Sequence, residues 1–161
     1  MIFLTVGTLY PFERLVQGVD EAVANGLITE KVFAQIGVGA QKPKCIESVE
    51  SLDKLTFDKI IDESSCMVSH AGMGSIQAAL SKNKPLLVMP RLYKYAENIN
   101  DHQVATAAKF EELGHLLAVY HQEDIPQKLE DIKSFVPTQR HTQVDKVVEK
   151  ISGFLNSLDC K

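Results

Sequence analysis

Met1-Ile2-Phe3-Leu4-Thr5-Val6 is an unbroken run of apolar and β-branched residues that stops at Gly7. A strand with one wet face alternates apolar and polar positions. A run without alternation belongs to a strand covered on both faces, as in a parallel sheet with helices above and below. The next apolar residues, Phe12, Leu15, Val16, Val19 and Val23, change period and fall on one helical face, with Pro11 placed to open that helix and Gly26 to close it.

The same alternation continues along the chain. Residues 32–36 read as a second strand stopped by Gly37-Val38-Gly39, and residues 45–49 as a short strand. Residues 54–63 form a helix with Leu55, Ile60 and Ile61 inward. Cys66 to Ser69 is a strand, 75–82 a helix, and Leu86 to Met89 a strand ended by Pro90. A helix over 101–113 carries Val104, Ala107, Ala108 and Leu113, with Gly114 as its C-terminal cap. A last strand spans Leu116 to Val119, followed by helices near 124–133 and 139–157. Strand and helix in regular alternation, without linker, repeat or low-complexity tract, predict one α/β domain over 1–161. Its expected core is a doubly wound, mostly parallel, Rossmann-like sheet.

Bulk properties exclude several function classes. The net charge of −4 and pI near 5.7 argue against a general nucleic-acid binder, which shows a basic stripe. Cys45, Cys66 and Cys160 lie far apart, with no CxxC pair. An odd, scattered set of this kind fits reduced thiols better than a disulfide framework or a zinc site. No apolar run approaches the roughly 20 residues of a membrane span, and no basic segment precedes an apolar one at the start. A cytoplasmic protein, peripheral to any membrane through a partner, is expected.

Ligands of a doubly wound sheet sit beyond the carboxyl ends of its strands. The segments to weigh are therefore Gly7-Thr8, Gly37 to Gly39, His70 to Ser75 and Arg91 to Gln103. The strongest is Ser69-His70-Ala71-Gly72-Met73-Gly74-Ser75-Ile76, between a strand and a helix. Glycines there let the backbone approach a ligand, and a helix start offers free N–H groups and partial positive charge to a diphosphate. Ser75 would cap the helix or donate to a phosphate oxygen, and His70 would bond a phosphate or a sugar hydroxyl. The run from Pro90 to Gln103 is much longer than the about two to six residues of an ordinary connection. It carries donors and acceptors that suit sugar and ribose hydroxyls; the alternative is an exposed loop in which Asn100 merely caps the helix. GxGxxG is incomplete at both Gly37 and Gly72, and GxxxxGK[ST], GxSxG and HExxH are absent.

Val68 to Ser75, Lys84 to Arg91 and Asn100-Asp101-His102-Gln103, together with Thr5-Val6-Gly7-Thr8 and Gln35-Ile36-Gly37, resemble the C-terminal domain of the MurG-like glycosyltransferases of family 28. The resemblance runs in order along nearly the whole chain. Met89 to Arg91 and Glu97 to Gln103 are nearest to the short stand-alone subunits of the PssE-like exopolysaccharide type, which are similar to the catalytic subunit of the dolichol-linked N-acetylglucosamine transferase. It implies a GT-B half-fold that binds a UDP-sugar and serves inverting transfer to a lipid-linked glycan, without cofactor or bound metal. The implied donor site is Gly7, Thr8, His70, Ala71, Gly72, Met73, Gly74, Ser75, Glu97, Asn100, Asp101 and Gln103. Phe57 stands near the uracil, unless it is simply core. Ala78 stands where the family pattern usually has a ribose-binding glutamate, so either Glu97 or Gln103 would take that task or ribose is held differently.

His70 is the candidate catalytic side chain, with His102 beside it, but both suit the donor better than the acceptor's proton. The acceptor-binding domain of a GT-B enzyme is expected on a separate, membrane-associated subunit. Val144, Val147, Val148, Ile151, Phe154, Leu155 and Leu158 form a stripe on the last helix. Half of it is expected to pack on the sheet, and the distal turns, Phe154, Leu155 and Leu158, to meet the partner. The alternatives are a non-catalytic nucleotide-sugar-binding or partner-stabilising module, and half of a nucleotide-sugar epimerase.

Overall fold

The computed structural model describes residues 1–8, 10–139 and 144–158. Its strands are β1 (Ile2–Thr5), β2 (Val32–Gln35), β3 (Glu47–Val49), β4 (Cys66–His70), β5 (Leu86–Met89) and β6 (Leu117–Ala118). Its helices are α1 (Glu13–Ala24), α2 (Lys54–Glu63), α3 (Met73–Ser81), α4 (His102–Glu112), α5 (Ile125–Asp131) and α6 (Val144–Leu158). The strands form one sheet in the order β3-β2-β1-β4-β5-β6. Every pairing is parallel. The doubly wound α/β architecture expected from the apolar runs is the one observed.

Alternation along each strand divides the core in two. Ile2, Leu4 and Val6 point to the face covered by Leu15, Val16 and Val19 of α1 and by Ile125 and Leu129 of α5. Phe3 and Met67 point to the other face, with Ile61 of α2, Ile76 and Ala79 of α3, and Ala107 of α4. Within α2 the inward side is Ile61 with the half-buried Phe57 and Ile60. Leu55, expected inward, is 83% exposed, because its position on the 3.6-residue turn falls away from that i, i+3, i+4 face.

The other departure is α6. Its stripe was expected to pack half on the sheet, yet every residue of 144–158 is exposed. Val144, Val147, Val148, Ile151, Phe154, Leu155 and Leu158 are each more than half accessible. Helices cover both faces of the sheet, α1 with α5 on one and α2, α3 and α4 on the other, and no described residue of α6 belongs to either core cluster. Residues 140–143 of the helix expected over 139–157, and Cys160, lie outside the described residues.

The carboxyl edge of the central strands is polar although it is buried. Register places Thr5 beside Gln35 on one side and Ser69 on the other. The Thr5 hydroxyl donates to Gln35 Oε1 (2.9 Å), and the Ser69 hydroxyl donates to the Thr5 carbonyl (2.8 Å). Thr5 Oγ1 also accepts from the Gly7 N–H (3.2 Å). Buried polar atoms persist only when paired in this way. Thr5→Val keeps the shape but removes both bonds of the hydroxyl. It is expected to cost about 1–3 kcal/mol in urea denaturation; an unchanged midpoint would mean that this row contributes nothing.

Candidate functional site

β1 and β4 are neighbours, but the chain leaves β1 for α1 on one face and leaves β4 for α3 on the other. This is the switch point of the sheet, and a cleft of about 590 Å³ opens above it. Its floor is Thr5 and Gln35. One wall is Gly7, Thr8 and Tyr10; another is His70, Gly74, Ser75 and Ala78; a third is Arg91, Glu97, Asn98, His102 and Gln103. Leu52, Lys54 and Phe57 close the apolar end.

α3 begins at the Gly72 N-cap, which has no side chain to satisfy the first turn. Its first i to i−4 bond is Ile76 N–H to the Gly72 carbonyl (3.1 Å), so the N–H groups of Met73, Gly74 and Ser75 have no partner within the helix. Ser75 is therefore not the cap; it is a buried wall residue of the first turn. A Cβ placed on Gly74 would meet no atom within 4 Å, so the glycine leaves open space at the helix start.

The other two glycines of this region serve the His70 ring. A Cβ on Gly72 would lie 2.2 Å from His70 Nε2, and one on Gly7, where φ is +83°, would lie 2.8 Å from Cε1. The imidazole thus fills the space of two missing side chains. The Ser69 hydroxyl donates to Thr5, so its oxygen, 3.2 Å from His70 Nδ1, is placed to accept from the Nδ1–H tautomer of the ring. In that tautomer the lone pair is on the other nitrogen. Burial, and then the nearby Arg91 guanidinium, push the His70 pKa down to about 4, so the ring is neutral at pH 7.

Among the expected donor residues, Gly7, Thr8, His70, Gly74, Ser75, Glu97, Gln103 and Phe57 line the cleft, and the rest do not. Ala71 is core. Gly72 lies behind the His70 ring, and Met73 is half exposed away from the wall. Asn100 and Asp101 fold the loop instead: Asn100 Oδ1 accepts from the His102 N–H (3.1 Å), and Asp101 Oδ1 from the Tyr93 N–H (2.7 Å). Asp101 occupies the N-cap position of α4 without a side-chain cap bond, and it is Asn100 Oδ1 that takes the first helical N–H.

The two side chains expected to replace a ribose-binding glutamate are partly engaged. Glu97 takes a two-pronged bond from Arg14 (Nε to Oε1 and Nη2 to Oε2, both 2.8 Å) and accepts the Leu92 N–H (2.8 Å). Gln103 Oε1 accepts the Arg91 N–H (3.1 Å), which leaves its amide NH₂ for the cleft. Phe57 packs on the core, meeting Phe3 edge-on at 5.3 Å, and also lines the apolar end of the cleft. Arg91, Lys54, Gln35 and Asn98 were not among the expected site residues. The signal for Arg91 was its place directly after β5, at the carboxyl edge. Among the described residues no group of three or more His, Cys, Asp or Glu could hold a metal ion.

The neutral His70 has a consequence for stability. Between the unfolded pKa near 6.5 and the folded value of about 4, the unfolded chain binds the extra proton, so stability falls as pH drops through that window. Relative to wild type, His70→Gln is expected to lose less stability between pH 7 and pH 4, by about 2 kcal/mol in urea titrations. Identical pH profiles would show that the ring is not held neutral.

The glycosyltransferase family 28 C-terminal domain matches residues 1–153. The UDP-N-acetylglucosamine transferase subunit ALG13 of Eremothecium gossypii is 45% identical over 53 residues, which is 33% of this chain but only 24% of that protein. In structure, MurG of Acinetobacter baumannii superposes with a TM-score of 0.63 at 15% identity, over 83% of this chain and 42% of its own. A solution structure of ALG13 gives 0.58 at 22% identity, over 84% and 87%. These two likenesses establish the fold. With the family match running from β1 through the sheet and into α6, the chain belongs to the glycosyltransferase family 28 C-terminal domain family.

Proposed function

We propose that this chain is the donor-binding subunit of a two-component inverting glycosyltransferase, taking a hexose or N-acetylhexosamine from a UDP-sugar to a lipid-linked glycan in polysaccharide synthesis. The observation that carries the reading is the uncapped first turn of α3, opening with a bare Gly74 into the cleft at the switch point. Unpartnered N–H groups at a helix start suit the two phosphates, and they counter the negative charge that grows on the diphosphate as the sugar leaves. Phe57 and Leu52 offer an apolar seat for the base, and the amides of Gln103 and Asn98 face the hydroxyl-bearing part. The name of the Eremothecium relative, a transferase subunit for UDP-N-acetylglucosamine, agrees with this division of labour.

In the proposed reaction the bond from the sugar's anomeric carbon to the diphosphate oxygen breaks while an acceptor oxygen attacks from the opposite face. UDP departs, and the acceptor's proton passes to a base. The cleft supplies a poor base. Glu97 is committed to Arg14 and Leu92, and the low proton affinity of His70 makes it weak. The base and the acceptor site are therefore assigned to a membrane-associated partner. The exposed apolar stripe of α6, through Phe154, Leu155 and Leu158, is the proposed contact with it. No described helix is long and apolar enough to cross a membrane, so the proposed membrane association is peripheral. The committed state of Glu97 also favours a second reading, a module that holds the nucleotide-sugar for the partner without taking part in chemistry. Gly74→Ala in the assembled pair separates the two: slower transfer at saturating donor would put the first turn of α3 in the chemistry, and an unchanged rate would favour the holding role.

Gly74→Ala is the sharpest single test. Alanine in a helix is worth about 0.5–1 kcal/mol over glycine, so the variant is expected to melt no lower than wild type. Its Cβ occupies the space beside the first-turn N–H groups, and UDP binding by calorimetry is expected to weaken about tenfold or more. Unaltered UDP affinity in a stable Gly74→Ala protein would remove the diphosphate from α3.

A further inference from the structure

Arg91 follows β5, yet its side chain works on the other side of the switch point. It is 5% exposed. Its Nη1 donates to the Pro11 carbonyl (2.7 Å), and its Nη2 donates to the carbonyls of Tyr10 (2.7 Å) and Val6 (3.0 Å). The guanidinium also lies over the Phe12 ring, 4.6 Å from its centre. All four partners belong to the connection between β1 and α1, the segment that contains Gly7 and Thr8. The base of the arginine is fixed as well: Gln103 Oε1 holds its N–H, and Arg14 Nη2 donates to the carbonyl of the preceding Pro90 (2.9 Å).

We propose that Arg91 is the positioning residue of the cleft, holding the β1–α1 connection so that the main chain at Gly7 and Thr8 faces the first turn of α3. The inference rests on the nucleotide-sugar reading for its ligand, though not for its geometry. A planar guanidinium is the side chain suited to three converging carbonyls. It satisfies them in one plane, where an ammonium offers a point charge that cannot span the set. Without it, three main-chain acceptors lose their partner at the rim of a buried site, and the connection relaxes toward water. His70 packs against Gly7 on one side and Gly72 on the other, so movement of Gly7 also loosens the ring between the two walls.

The test compares Arg91→Met and Arg91→Lys with wild type by amide NMR. In the ligand-free protein, hydrogen exchange at Gly7 and Thr8 is expected to speed up at least about tenfold in Arg91→Met, while β2 and α3 keep wild-type protection. On adding UDP, the variant is expected to lose the shifts at Gly7 and Thr8 but keep those at Met73, Gly74 and Ser75. Its affinity should be about tenfold weaker, with Arg91→Lys in between. If the methionine variant does not fold, the lysine variant carries the test on the same readouts.

A merely structural arginine would lower the melting temperature and raise exchange throughout the sheet, leaving affinity and shift pattern alone; that result would overturn the proposal, as would unchanged exchange at Gly7 and Thr8. Absence of UDP shifts in wild type would sink the nucleotide reading, while the exchange result would still decide the role of Arg91.

Discussion

Two hydrogen-bonded neighbours, β1 and β4, send their chains to opposite faces of the sheet, and the rest of the site depends on that divergence. Had both connections turned to the same face, α1 or α3 would cover the strand ends. Because they part, the ends of β1 and β4 stand open, and whatever lies there must be both shaped and solvated by the protein. The buried row Gln35, Thr5 and Ser69 is the answer at the floor, where each hydroxyl donates to a neighbour in the sheet. That row also sets the histidine, since Ser69, having spent its proton on Thr5, turns an acceptor toward His70.

The walls of the site on this floor are tied to one another by hydrogen bonds. Arg14 ties α1 to Glu97 in the long connection after β5, and Arg91 ties the same connection back to the segment after β1. The left-handed conformation of Ala96, at φ +56°, turns the chain so that Glu97 returns to the Leu92 N–H. A non-glycine residue in that region is strained, and here the cost is offset by a largely buried, two-pronged ion pair. An overall charge of −4 does not oppose an anionic ligand, because the local field comes from the start of α3 and from Arg91. Preorganised dipoles of this kind lower the cost of ordering a ligand.

The fold was readable because its signals are local. Apolar and β-branched runs ending in glycine or proline marked β1 and β5, a similar run broken only by Gln35 marked β2, and the change to helical spacing marked α1 and α4. Within the site, Gly7, His70 and Gly74 were legible from their place after strands. Three features were not legible, each for a reason of distance or shape. The grip of Arg91 on the carbonyls of Val6, Tyr10 and Pro11 joins residues about eighty positions apart in sequence, a contact that no local pattern encodes. The glycines at 7 and 72 looked like room for a ligand, whereas they make room for His70, which only the ring's orientation discloses. The α6 stripe has core-like spacing, but whether such a stripe meets its own sheet depends on which helices already cover that sheet, and here α1 with α5 and α2, α3 and α4 do.

The central claim is that main-chain N–H groups at the start of α3 receive a diphosphate. A crystal structure of the protein grown with UDP addresses it most directly. The account predicts the two phosphates within hydrogen-bond distance of the Gly74 and Ser75 N–H groups, with the uracil toward Phe57. UDP bound elsewhere, with the first turn of α3 facing only solvent, would contradict it.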